Sequence, residues 1–159
     1  GLVVIIVRKD LLGKARPETP TMLNYQVIAD NGSMYNTPCT FAIYMIERVA
    51  AWLEDMGGLE VMDARNQAQC DKLYGVVDGS GFFRGKTERA SRSRMNVTFT
   101  TGDDALDTRF WKEAAEAGLS GLKGHRSVGG LRASIYNAQT DAAVDALVEY
   151  MQAFEAKNG

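Results

Sequence analysis

The chain's single histidine and two of its arginines lie in one stretch, Lys123 to Asn137, where His125-Arg126 precedes Gly129-Gly130 and Arg132 follows. An arginine guanidinium is a planar fork of donors that matches a carboxylate or phosphate two bonds at a time. A histidine beside it adds one more donor, and a charge when protonated. The paired glycines let the backbone turn, so that Arg126 and Arg132 can address neighbouring anionic groups. Arg132 also falls on the polar side of an alternating pattern, opposite Leu131 and Ile135, where a half-buried charge needs a partner. The competing reading is ion pairing with the chain's own acids, since 20 Asp and Glu face 18 Lys and Arg.

A second anion-binding position is Asn36-Thr37-Pro38. Thr37 suits a helix N-cap and Pro38 the first helical residue, where a missing N–H costs nothing. The free N–H groups and positive dipole of such a helix start attract a phosphate, with the Asn36 amide and Thr37 hydroxyl as further donors. An ordinary cap is the competing reading here. Arg89, Arg92 and Arg94 read as structural ion-pair formers, because they point in different directions along a loop and strand. Asp78-Gly79-Ser80-Gly81 reads as a turn, since its glycines do not match the dinucleotide-binding fingerprint and no strand leads into it. No nucleophile–base–acid arrangement is visible. Anion anchors without a reactive group are what half an active site contributes.

The elements that would carry these residues follow from periodicity. Gly1-Leu2-Val3-Val4-Ile5-Ile6-Val7 is a continuous apolar run, which predicts a strand buried on both faces, as in a parallel sheet. Leu11 to Asn31 reads as mostly irregular, with Pro17 and Pro20. A helix is predicted from Pro38 to the Gly57-Gly58 stop and another over about Leu59–Val77. Residues 93–100 alternate as a half-buried strand. Asp103-Asp104 starts a helix ending at Gly118, Leu131–Tyr136 alternates again, and Thr140 or Asp141 starts the last helix. Few strands among several helices predict an α+β layer.

Composition narrows the class. The 159 residues suit one domain, or a small domain with a piece of another. A net charge of −2 argues against a general nucleic-acid binder, and no apolar run approaches the roughly 20 residues of a membrane span. Cys39 and Cys70 lack metal-ligand spacing, so reduced thiols and no metal are expected.

Ser33-Met34-Tyr35-Asn36-Thr37-Pro38, Ser93-Arg94-Met95-Asn96-Val97, Gly124-His125-Arg126 and Arg132-Ala133-Ser134-Ile135-Tyr136-Asn137 together closely resemble the phosphoserine aminotransferase family. The order and spacing agree along essentially the whole chain. The resemblance implies the C-terminal portion of a fold-type I enzyme dependent on pyridoxal 5'-phosphate. Residues 1–37 would be a remnant of the large domain, including a leftover strand, and 38–159 the small C-terminal domain, an antiparallel or mixed sheet covered by helices. It implies transfer of an amino group between glutamate and 3-phosphohydroxypyruvate, giving O-phosphoserine and 2-oxoglutarate for serine and pyridoxine biosynthesis, in a cytoplasmic homodimer with shared active sites. By the same resemblance, Asn36 and Thr37 reach the phosphate of the neighbouring subunit's cofactor. His125 and Arg126 bind the substrate phosphate across the dimer, and Arg132 grips the α-carboxylate in its own subunit. The Schiff-base lysine of the family has no counterpart here, so the fragment alone is expected to be inactive. The alternative is a free-standing, non-catalytic α+β module that binds a phosphorylated metabolite or another chain.

Overall fold

Residues 84–134 form a three-stranded antiparallel sheet of order β1-β2-β3, built from β1 (Arg84–Gly85), β2 (Asn96–Thr100) and β3 (Leu131–Ser134). These come from a computed structural model that describes residues 1–159. The helices, in chain order, are α1 (Tyr25–Asp30), α2 (Thr40–Asp55), α3 (Gly58–Gly79), α4 (Asp104–Glu116) and α5 (Asp141–Asn158). The chain divides into two compact units, Gly1–Asp55 and Met56–Gly159. This division falls after α2, whereas the sequence reading sets a domain boundary before it, at residue 38.

The second unit holds the core. Alternation along β2 and β3 puts Val97, Phe99, Leu131 and Ala133 on one face, where all four are buried, and they pack with Leu73 and Val77 of α3, Phe110 and Ala114 of α4, and Leu147, Met151 and Phe154 of α5. Phe83, Phe99 and Phe110 form an edge-to-face triangle with centroids 5.6–5.8 Å apart, a geometry worth about 0.5–1.5 kcal/mol per pair beyond area burial. The helices therefore cover one face of the sheet. The other face carries Asn96, Thr98, Arg132 and Ser134, all half-buried, and is the one that positions the site.

Local signals explain the boundaries. The Asp103 carboxylate accepts from the Ala105 and Leu106 amides at 2.7 and 3.0 Å, and the Thr140 hydroxyl from Ala143 at 3.2 Å, so both predicted caps are in place. The turn expected at 78–81 comes two residues later, because Asp78 and Gly79 are the last residues of α3 and the Ser80 hydroxyl accepts from the Phe82 and Phe83 amides to hold the bend that follows. Asp107 is buried and accepts from the Thr100 hydroxyl at 2.6 Å, the Thr101 amide at 2.7 Å and the Thr101 hydroxyl at 2.9 Å, which ties the end of β2 to α4.

Several expectations need correction. Residues 2–7 form no strand: Val3 is 79% and Ile6 96% exposed, because a strand exists only when its backbone groups find a paired neighbour. Residues 11–31 contain α1, which starts where the Asn24 carboxamide accepts from the Gln26 amide at 3.1 Å. The strand expected at 93–100 begins at Asn96, because the Ser93 hydroxyl accepts from the Met95 and Asn96 amides and holds that corner as a turn. β1, two residues long, has no period a sequence could display.

Candidate functional site

Arg132 is the second residue of β3 and pairs with Thr98 of β2, while Ser134 pairs with Asn96. Ile135 donates its amide to Met95 and Arg132 donates its own to Leu122, so the Arg132–Thr98 pair exchanges no backbone bonds with each other. Such pairs bring their side chains closest. On this polar face the side-chain Oδ1 of Asn96 accepts from the Ser134 hydroxyl at 3.2 Å and from the Tyr136 hydroxyl at 3.4 Å. Thr98 shares a 3.1 Å hydroxyl contact with Thr87. The Arg132 Nε is buried without a hydrogen-bond partner. Seven of the eleven arginines are held in ion pairs; Arg126 and Arg132 are in none, nor are Arg16 and Arg84.

His125 and Arg126 stand on a loop that closes on itself just before β3. The Gly124 amide donates to the Gly130 carbonyl at 2.9 Å, and the Val128 and Gly129 amides both donate to the His125 carbonyl at 2.9 and 2.8 Å. The closure needs its glycines. A Cβ at Gly124 would stand 2.6 Å from the Gly130 oxygen and closer still to that of Gly129. Gly130, at φ +71°, would put one 2.9 Å from the Phe99 carbonyl. His125 and Arg126 are both exposed. The imidazole is held by Ser127, whose hydroxyl lies 2.7 Å and whose amide lies 3.3 Å from Nδ1. Lys86 straps the loop from the β1 side, donating its ammonium to the Val128 carbonyl at 2.6 Å. Lys86 and Ser127 were not legible as site residues: the first lies 42 positions away in sequence, and a loop serine gives no signal of its partner.

The segment after β3 is stitched to α3. Arg65 and Gln69 both donate to the Gln139 carbonyl, at 2.9 and 3.1 Å, and the Asn66 amide to Asn137 at 2.9 Å. Asn66 and Gln69 are buried polar residues, and their bonds anchor residues 137–139 against α3.

Asn36 and Thr37 belong to the first unit. Both are exposed, and the Asn36 amide makes one long bond of 3.4 Å, to the Thr37 carbonyl. The helix expected to start at Pro38 starts at Thr40 instead, and Ile43 donates to the Cys39 carbonyl. Thr37 is thus not its N-cap, and its hydroxyl is free of that duty. No residue of α2 is buried within the chain, and Phe41, at its start, is 73% exposed.

The remaining basic cluster is neutralised, as expected for structural ion pairs. Arg92 grips the Asp78 carboxylate with two bonds of 2.7 and 2.8 Å, Arg89 adds a third at 3.1 Å, and Arg94 pairs with Asp63. The bond from Arg92 holds the Asp78 carboxyl below its ordinary range. Burial pushes the Cys70 thiol up, with the nearby Asp71 adding to the shift, so a reactive thiolate is disfavoured there. A cleft of about 570 Å³ lined by Ile5, Leu12, Leu23 and Tyr25 lies within the first unit and contains none of the five candidate residues. No group of three or more His, Cys, Asp or Glu is arranged to hold a metal ion. No helix is long and apolar enough to cross a membrane.

The aminotransferase class-V family model matches residues 1–147. Phosphoserine aminotransferases of Azotobacter vinelandii and Aromatoleum aromaticum are 57% and 55% identical over 159 residues; the match covers all of this chain and 44% and 43% of those proteins. Among solved structures, the phosphoserine aminotransferase from Bacillus circulans subsp. alkalophilus superposes with a TM-score of 0.91 at 45% identity, covering 96% of this chain and 43% of that one. The pyridoxal-phosphate-bound enzyme from Trichomonas vaginalis gives 0.86 at 40% identity, covering 92% and 42%. The chain spans less than half the length of the relatives it matches, and it belongs to the class-V aminotransferase family.

Proposed function

We propose that this class-V aminotransferase chain supplies the anion clamps of a phosphoserine aminotransferase. The parent would move an amino group between glutamate and 3-phosphohydroxypyruvate, yielding O-phosphoserine and 2-oxoglutarate in a cytoplasmic route to serine and pyridoxine. The observation that carries the reading is Arg132, a strand arginine with a buried, unpartnered Nε and no carboxylate from its own chain. A buried donor left in that state costs about 1–3 kcal/mol, and a substrate α-carboxylate relieves it with the fork geometry that arginine favours. The names of the relatives at 55–57% identity support the substrate class.

His125 and Arg126 then serve the substrate phosphate, which asks for several donors on one anion. Asn36 and Thr37 would hold the phosphate of pyridoxal 5'-phosphate in a neighbouring subunit, so that the working unit is a homodimer with shared sites. Their fit is chemical: two neutral donors, exposed and nearly free of partners in the chain. When bound, the cofactor supplies the electron sink for amino transfer. This chain's residues supply orientation, by fixing both ends of the substrate so that the reacting carbon meets the cofactor in one pose. In that parent, residues 1–37 would belong to the large domain and 38–159 to the small one.

The test is Arg126→Ala in the intact enzyme. Cofactor binding stays unchanged while KM for phosphoserine rises at least tenfold, as expected for loss of a charged phosphate contact. Unchanged phosphoserine kinetics would remove the phosphate assignment.

A further inference from the structure

We infer that Ser127 is a positioning residue that sets His125 as an Nε2–H donor, and that this sharpens the loop's preference for phosphate over carboxylate. The inference rests on the reading of His125 and Arg126 as a phosphate clamp. A backbone N–H can only donate, so the Ser127 amide, 3.3 Å from His125 Nδ1, meets a lone pair there. The Ser127 hydroxyl, 2.7 Å from the same nitrogen, can rotate to donate as well. A neutral imidazole has one donor and one acceptor nitrogen; with Nδ1 accepting, the proton resides on Nε2.

The rest of the loop holds the histidine's backbone in place. The His125 carbonyl is already taken by the Val128 and Gly129 amides, and Lys86 holds the Val128 carbonyl at 2.6 Å. Backbone and Nδ1 are both anchored, so Nε2–H is the ring's one unengaged polar group. A phosphate monoester has three terminal oxygens. Two can take the Arg126 fork and the third the His125 Nε2–H. A carboxylate has two oxygens, both already engaged when the fork binds them, so an Nε2–H bond reaches only a second lone pair on a shared oxygen and adds less. Loss of the Ser127 hydroxyl therefore weakens phosphate more than carboxylate.

Because the chain has a single histidine, 15N-histidine labelling yields one pair of ring nitrogens to follow by NMR in the 159-residue chain. The wild type should show a pyrrole-type Nε2 and a hydrogen-bonded, pyridine-type Nδ1. Ser127→Ala, which keeps the amide but removes the hydroxyl, should move the Nδ1 signal and admit the other tautomer, and Ser127→Thr should restore the wild-type pattern. Titration with inorganic phosphate should be about fivefold weaker for Ser127→Ala, the loss of one ordinary hydrogen bond, with acetate less affected. Ring-nitrogen signals that are identical in wild type and Ser127→Ala would overturn the inference, as would equal losses for phosphate and acetate. If the nitrogen signals respond as expected but phosphate perturbs neither protein, the phosphate-clamp reading fails while the tautomer assignment stands.

Discussion

Arg132→Met should separate the fold from the function of the sheet. Methionine keeps an unbranched stem of similar length and removes the buried Nε–H that has no acceptor. An unsatisfied buried donor costs about 1–3 kcal/mol. Because Arg132 is only half-buried, the lower end applies. The second unit, Met56–Gly159, should gain about 1 kcal/mol, which for a domain of this size raises Tm by roughly 4 °C. Trp111, half-buried against the core, can report on that unit alone if Trp52 is replaced by Phe, since Trp52 lies in the other. In the intact enzyme the same substitution should lower kcat/KM for every amino-acid substrate by more than 100-fold, about 3 kcal/mol, because the carboxylate loses a charged partner. Arg132→Lys restores the charge but not the fork, and should recover only part of the activity. A destabilisation of 1 kcal/mol or more by Arg132→Met would refute the reasoning, because it would make the arginine a structural residue with a partner in the fold.

Gly124→Ala should open the loop before β3, since its Cβ would collide with the carbonyl oxygens of Gly129 and Gly130. Hydrogen exchange at the Val128 and Gly129 amides should speed up while core amides of β2 stay protected; unchanged loop protection would mean that the backbone absorbs the methyl group. Asp78 gives a pH signature. Its carboxyl is held below the ordinary range by the Arg92 bonds, so its contribution to stability is present above the unfolded carboxylate pKa of about 4 and is lost as pH falls through the lower folded value. Asp78→Asn should therefore cost stability at neutral pH, and the gap to wild type should narrow on acidification in urea melts; a gap that widens would reverse the assignment.

The parts of this chain legible from sequence are those that local chemistry decides. Asp103 and Thr140 announced their helices because a capping side chain acts within three residues. Alternation placed Arg132, Ser134 and Asn96 on one polar face because the period of a strand is two. The strand expected at residues 2–7 failed for the opposite reason: an apolar run states what it would bury, but its partners lie elsewhere. Thr37-Pro38 misled for a related reason, since a cap signal holds only if the helix starts beside it, and here the helix waits until Thr40. Lys86 and Ser127 were invisible because their roles are contacts made by the folded loop. The grouping of Arg126 and Arg132 near one turn was legible. Their lack of acidic partners was not, because only the folded chain reveals which carboxylates are already claimed.

The one-sided sheet has an evolutionary corollary. Along β2 and β3 every second residue belongs to the core and every other one to the open face, so adjacent codons answer to different selective demands. A lineage could exchange Thr98, Ser134 or Asn96 and change the surroundings of Arg132 without touching Val97, Phe99 or Ala133. The polar face of such a module can drift at nearly constant stability, and its residues should diverge among descendants well before the core does.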